Sequence, residues 1–358
     1  MKKSGILILG LIVCFTSWSY SQQFSSGKHP VKVNNKNAIE IKVIEPSGAY
    51  DIVQKNSYNL KYNINEGAKI TRVKVFINDS LFVESTSKDF KKDKVKGYEF
   101  EQKIPLLRGE NIVKITATDQ DQKENTVSKA ITFQKRLALI IGNAQYPENL
   151  ALANPVNDAR AIDQSLKSMG FDVIKIENAD QKSLKKTIDQ FGNSLPDYDV
   201  GLFYYAGHGI QFNGENYLIP IDAQLASKED VEYDCVAVGR VLAKMEFART
   251  KTNIIILDAC RDNPFERSWS RSAASKGLAF MDAPSGSLIA YATSPGRTAA
   301  DGKGANGLYT EVLLKYLQQP GLQLEQVFKA VRKDVEKKSN GQQVPWESTS
   351  LKGNFFFK

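Results

Sequence analysis

The sequence predicts a two-module chain: an all-β sandwich, then an α/β domain on a mostly parallel sheet of about six strands with helices on both faces. Three observations carry this. From about 38 to 134, apolar residues alternate with polar ones at period two. From 136 onward, unbroken apolar runs such as "RLALIIGN" are separated by stretches of helical period, the pattern of a parallel sheet covered on both faces. Only Gln134 and Lys135 separate the two patterns, so the modules are expected to sit close together.

A leader precedes them. Lys2 and Lys3, the apolar run Ile6–Phe15 and the polar "TSWSYS" form the three parts of a secretory signal peptide over residues 1–21. Ser19 and Ser21 suit the −3 and −1 positions of a cut before Gln22, and a polar linker follows over 22–37. A membrane span needs about 20 apolar residues, and no run reaches that length. The expected location is therefore the periplasm or the cell exterior. Losing Lys2 and Lys3 lowers the net charge from +8 to +6, spread along the chain without an arginine-rich block. That distribution speaks against nucleic acid as a partner. Without Cys14, only Cys235 and Cys260 remain, too few for a disulfide framework in an exported chain.

In the first module, over 38–134, the alternating groups are Ile39/Ile41/Val43, Tyr58/Leu60/Tyr62/Ile64, Val73/Val75/Ile77, Val113/Ile115/Ala117 and Ile131/Phe133. The turns "PSG", "NEG", "IND" and "TDQD" lie between them. About seven short strands in some 95 residues fit an immunoglobulin-like sandwich, although the cysteine pair of antibody domains is missing. This module has no histidine, cysteine or glycine-rich phosphate loop, so it reads as a spacer or as a module that binds a protein ligand.

In the second module, over 136–358, "RLALIIGN" is a buried strand. "NPVNDARAIDQSLKSMG" is a helix with Asn154 as cap, Pro155 in its first turn and Gly170 as its stop. "FDVIKI" is a strand, "QKSLKKTIDQFG" a helix, "DVGLFYYAG" a strand, "VAVGRVLAKMEFA" a helix, and "TNIIILDAC" and "GSLIAYATS" strands. Helices at about 308–318 and 322–338 precede a last strand, "GNFFF".

The chemistry gathers at two strand ends. In an open α/β sheet, the reactive crevice lies beyond the carboxyl ends of the strands. His208 follows "VGLFYYAG" and Cys260 follows "NIIILDA", so if those strands are neighbours the two residues meet at one edge. A histidine beside a thiol supplies the thiolate that nucleophilic catalysis requires. The N–H groups of Gly209 and Cys260 could hold the oxyanion of a tetrahedral intermediate. Taken singly, a lone histidine is usually structural and a lone cysteine is usually a small core residue. The pair gains weight because His208 is the only histidine in either module.

Seven blocks, "LALIIGNAQY", "LANPVNDA", "FYYAGHG", "NYLIPID", "LDACRDNPF", "LIAYATSPG" and "RTAADG", resemble those of the caspase-like peptidases in the same order, in their bacterial, metacaspase-related branch. The resemblance covers about 136–357. It implies a caspase-like α/β fold, a Cys–His dyad of His208 and Cys260, and cofactor-free hydrolysis of peptide bonds. It further implies that Asp158 and Asp258 line the pocket for the residue before the scissile bond, with Asp301 acidic where an Asp-selective pocket would need a base. Paired carboxylates favour Arg or Lys over Asp. The other reading of Asp158 is an ordinary acid in a helix's first turn. Ala206 departs from the family, which often has serine there.

Residues 261–286 read as a long polar loop, where caspase-like enzymes can be cut between a large and a small subunit, and Arg267, Arg271 and Lys276 are the candidate self-cleavage sites. Cys235 reads as structural, though a Cys235–Cys260 disulfide stays open. Asp222, Asp230 and Asp234 lack EF-hand spacing, so no metal is expected. The function expected is an exported cysteine endopeptidase. The alternative is a non-catalytic recognition or adhesion protein.

Overall fold

The computed structural model describes residues 38–48, 50–65, 69–92, 97–147, 150–260, 278–294 and 304–358. The expected leader and linker, 1–37, lie outside the described residues. Among the described residues, no helix is long and apolar enough to cross a membrane.

The first module is all-β. Its strands are β1 (Ile41–Glu45), β2 (Tyr50–Val53), β3 (Ser57–Ile64), β4 (Ile70–Ile77), β5 (Ser80–Thr86), β6 (Lys91–Lys92), β7 (Tyr98–Pro105), β8 (Gly109–Asp119) and β9 (Glu124–Phe133). They form two sheets, ordered β1-β3-β7-β6 and β2-β9-β8-β4-β5. The alternation works as expected, because Leu60, Tyr62 and Ile64 of one sheet share a core with Val73, Val75, Val113 and Ile115 of the other. The "IND" turn is a two-residue hairpin, with Ile77 opposite Ser80 and left-handed Asn78 and Asp79 at φ 49° and 63°. Among the described residues the strands number nine rather than about seven, since the short β2 and β6 have too few residues to show a period.

The second module runs β10 (Arg136–Gly142), α1 (Pro155–Ser168), β11 (Asp172–Glu177), α2 (Gln181–Ser194), β12 (Val200–Phe212), β13 (Glu215–Leu218), α3 (Asp230–Asp234), β14 (Val236–Ala237), α4 (Val238–Ala248), β15 (Thr252–Cys260), β16 (Ser287–Tyr291), α5 (Leu308–Leu317), α6 (Leu324–Lys338) and β17 (Trp346–Thr349). The main sheet is ordered β11-β10-β12-β15-β16-β17, parallel except for β17 at its edge. Its apolar runs serve two layers. Ala138 and Ile140 of β10, Leu202 and Tyr204 of β12, and Ile254 and Ile256 of β15 pack with α1, α5 and α6. Leu139, Ile141, Phe203, Tyr205, Ile255 and Leu257 pack on the other face with α2 and α4. From β10 the chain passes to β11 on one side and then returns to β12 on the other, so the topological switch point lies between β10 and β12.

Three local expectations differ. Asn154 precedes α1 with helical dihedrals and makes no side-chain cap bond. "GNFFF" forms no ladder strand: Phe355 and Phe357 are buried against the α1/α5/α6 layer, and only Phe356 bridges, to Gln323. The last strand is instead "WEST", whose half-exposed polar residues carry no strand signal because it is an edge.

The modules meet at the amino ends of the parallel strands. Asp199, 6% exposed, accepts the Lys135 N–H at 3.1 Å and pairs with Arg108 Nε at 3.3 Å and Lys251 Nζ at 3.4 Å. Arg136 is buried at the start of β10 and donates to Gln134 Oε1 and to the carbonyls of Phe356 and Phe357. At about 3.3 Å per residue along β12, this junction lies roughly 30 Å from His208.

Candidate active site

His208 and Cys260 are register partners on the adjacent parallel strands β12 and β15, the last pair of that ladder. Neighbouring strands are about 4.8 Å apart, so the two backbones are adjacent. Neither residue lies past a strand end. β12 continues beyond His208, and from Gly209 to Phe212 it leaves the parallel sheet and pairs antiparallel with β13. The apolar run ended at glycine in the sequence because the strand changes partners there, not because it stops. Gly209, the expected oxyanion donor, is the first residue on the new partner, opposite Leu218.

His208 is 6% exposed and held from several sides. Its Nε2 donates to the Leu150 carbonyl at 2.8 Å, and its ring packs on that of Tyr146, centroids 4.5 Å apart. A carbonyl can only accept, so Nε2 carries the proton and Nδ1 is the basic nitrogen. Both holding groups come from the segment after β10. That segment is fixed by Asn178 Oδ1, which accepts the N–H groups of Ala144 and Gln145, and by buried Asn143, which accepts from the Ala179 N–H.

The two aspartates converge from different elements. Asp158 is in the first turn of α1, 3% exposed. Its Oδ1 accepts the Gly307 N–H and Asn306 Nδ2, each at 2.9 Å, so it serves the start of α5 rather than its own helix. Asp258 keeps the parity of Ile254 and Ile256 and faces α5, where Thr310 Oγ1 donates to its Oδ2 at 2.7 Å. Tyr204 lies 2.6 Å from Thr310 Oγ1, so the protons run from Tyr204 to Thr310 to Asp258. Burial first, and the charges of Asp258 and Asp158 next, hold the Tyr204 hydroxyl well above its ordinary range, protonated and donating. A Cβ on Gly307 would stand 3.2 Å from Asp158 Oδ2 and 3.9 Å from Asp258 Oδ2. The two oxygens are thus within about 7 Å of each other, the most those two distances allow. Tyr146, Leu150, Tyr204, Asn306, Gly307 and Thr310 were not singled out in the sequence, where they read as loop, core or helix residues.

Asp301, Arg267, Arg271 and Lys276 lie outside the described residues. Cys235 is a free, buried thiol whose pKa burial pushes up to about 12, inert at neutral pH. Among the described residues, no cluster of His, Cys, Asp and Glu could hold a metal.

A 201-residue stretch is 27% identical to the mucosa-associated lymphoid tissue lymphoma translocation protein 1 of Homo sapiens, covering 55% of this chain and 23% of that protein. The homologue from Mus musculus is also 27% identical over 201 residues, 22% of its length, so the chain spans less than a quarter of either relative. The crystal structure of the Drosophila initiator caspase Dronc aligns with a TM-score of 0.47 at 14% identity, covering 63% of this chain and 85% of that one. The Caspase domain family profile matches residues 135–356, more than half of the sequence. This protein therefore belongs to the caspase-domain family of cysteine peptidases.

Proposed function

We propose that the protein is an exported cysteine endopeptidase of the metacaspase-related branch that cleaves after Arg or Lys. The observation that carries the reading is the register pairing of His208 with Cys260 on adjacent strands. His208 Nδ1 takes the thiol proton of Cys260, and the thiolate adds to the scissile carbonyl. The N–H groups of Gly209 and Cys260 receive the oxyanion. The imidazolium, its Nε2–H held by the Leu150 carbonyl, then gives its proton to the leaving amine. Water cleaves the remaining thioester and frees the acyl half and the thiol.

Specificity rests on Asp158 and Asp258, whose Oδ2 atoms both approach the same side of Gly307. Two buried or half-buried carboxylates with fixed donors on their other lone pairs suit a guanidinium or an ammonium. Asp301 is assigned to the same pocket. Residues 38–134 are read as an immunoglobulin-like module that binds a protein ligand. Its junction lies at the far end of the strands, so it does not cover the dyad. Labelling of the full-length protein by an Arg-directed electrophile, lost in Cys260→Ala, tests the reading. Absence of labelling in the wild type overturns it in favour of a recognition protein.

A further inference from the structure

We propose that Tyr146 and Tyr205 form a hydroxyl clamp that positions His208, an inference that rests on reading His208 as the general base. The two phenols grip opposite backbone groups of one residue. The His208 N–H donates to Tyr146 Oη at 3.0 Å, and Tyr205 Oη donates to the His208 carbonyl at 2.7 Å. The two hydroxyls are 3.3 Å apart, and both reach the Ile219 carbonyl, at 3.1 and 3.2 Å. Each phenol has a single proton, which fixes the pattern. Tyr205 gives its proton to His208 O at the shortest distance, and Tyr146, having accepted the His208 N–H, gives its own to Ile219 O. Both tyrosines are buried, at 5% and 0% exposure, so water does not substitute for a lost partner.

Tyr146 does a second task. Its ring packs against the imidazole at 4.5 Å while the Leu150 carbonyl, four residues on, holds Nε2. One segment thus sets the backbone, the ring plane and the tautomer of His208. Gly207 completes the fit. Its φ of +154° and its surroundings admit no side chain, because a Cβ would stand 2.7 Å from Tyr205 Oη and 2.8 Å from Tyr146 Oη. These tyrosines touch neither the peptide bond nor the thiol in this scheme, and they act only through His208. They are positioning residues.

The test uses the full-length protein and a fluorogenic peptide ending in arginine. Tyr146→Phe and Tyr205→Phe are expected to lower kcat about tenfold each with KM changed less than twofold, and to alter the acid limb of the kcat/KM profile against pH. Gly207→Ala, whose added methyl would meet both clamp hydroxyls, is expected to give the same split. The chain has two histidines, so 15N-histidine labelling reports on His208 directly once His29→Gln removes the other signal. Its imidazole resonances are expected to move in both phenylalanine variants. Wild-type kcat together with unmoved resonances in both variants overturns the clamp. Should Tyr146→Phe unfold, Tyr205→Phe is judged by the same two readouts. A His208→Ala enzyme that still cleaves overturns the dyad reading itself, whatever the tyrosines do.

Discussion

The imidazole Nε2 of His208 and the carbonyl of Leu150 are joined by a 2.8 Å hydrogen bond, and that bond decides which nitrogen can act as base. A histidine so fixed has one tautomer available, with Nδ1 free of a proton, and it stays oriented when it becomes imidazolium. His208→Ala and Cys260→Ala are each expected to lower kcat on an arginyl peptide by about a thousandfold or more, with the double variant little worse than either. Cys235→Ser is expected to keep most activity, because that buried, protonated thiol takes no part in the chemistry even though it shares a cluster with Tyr146 and Ile219. Steady-state kinetics on the four variants check this; a fully active Cys260→Ala excludes the dyad.

The acidic pair gives a prediction of direction. With the Oδ2 atoms of Asp158 and Asp258 flanking Gly307, a basic side chain gains two charge-assisted partners and an aspartate meets two like charges. Asp258→Asn keeps an oxygen for Thr310 to donate to, and so removes charge more than structure. It is expected to raise KM for an arginyl peptide about tenfold while kcat changes less. Asp158→Asn is expected to do the same and also to loosen the start of α5, since Oδ1 holds Gly307 and Asn306. A wild-type enzyme that cuts an aspartyl peptide faster than an arginyl one sinks this assignment.

How much of this could be read from the chain depends on range. Period two in the first module and apolar runs in the second are local patterns, and they placed most strands and helices. His208 and Cys260 stood out because they are rare residues at the ends of apolar runs. Their register could only be hoped for, because strand order is set by packing over more than fifty residues. The residues that complete the site were hidden for the same reason. Thr310 and Gly307 reach Asp258 and Asp158 from over fifty and nearly 150 residues away, and in sequence they are only the opening of an amphipathic helix. Tyr146 looked like a loop aromatic, and its hydroxyl has meaning only once β10 and β12 are side by side. "WEST" failed for a different reason: an edge strand buries little, so it needs no apolar alternation.

Self-cleavage follows from the pocket chemistry if the enzyme accepts basic residues. Arg267, Arg271 and Lys276 sit in one polar stretch soon after Cys260 in sequence. Purified wild-type protein is expected to appear as two fragments on a denaturing gel, with new amino termini after one or more of these residues. Cys260→Ala is expected to stay whole under the same preparation. An identical cut in both assigns it to another protease.

The module junction makes a prediction about stability without activity. Asp199 is buried with three nitrogen partners, but Arg108 and Lys251 are 43% and 66% exposed, which screens their share. Asp199→Ala removes the acceptor of the Lys135 N–H together with both ion pairs and is expected to cost about 1–2 kcal/mol of stability. Arg108→Ala removes an exposed partner of Asp199 and a bond to the Asp197 carbonyl, and is expected to cost about 0.5–1 kcal/mol. Neither is expected to change kcat, because the junction lies at the opposite end of β12 from His208. Thermal melts beside peptide hydrolysis separate the two effects, and a large kcat loss in Arg108→Ala would show that the modules are coupled.

Cys235 ties burial to pH. Its thiol sits at about 12 in the folded chain because desolvation disfavours the thiolate, with the charge of Asp234 adding to it, whereas an unfolded cysteine titrates near 8.5. For an acid whose folded pKa is raised, the unfolded state loses its proton first as pH rises. The stability contribution is therefore complete below about pH 8.5 and falls above it, up to about 12. By pH 9.5 the expected loss is roughly 1 kcal/mol, before tyrosines and lysines titrate in the unfolded chain. Denaturant melts at pH 7.5, 8.5 and 9.5 should show this slope in the wild type and a flatter one in Cys235→Val, whatever its baseline stability. Iodoacetamide at pH 8 should leave Cys235 unmodified in the folded protein and alkylate it after unfolding. Rapid native-state alkylation of Cys235 would mean that the thiol is neither buried nor held protonated.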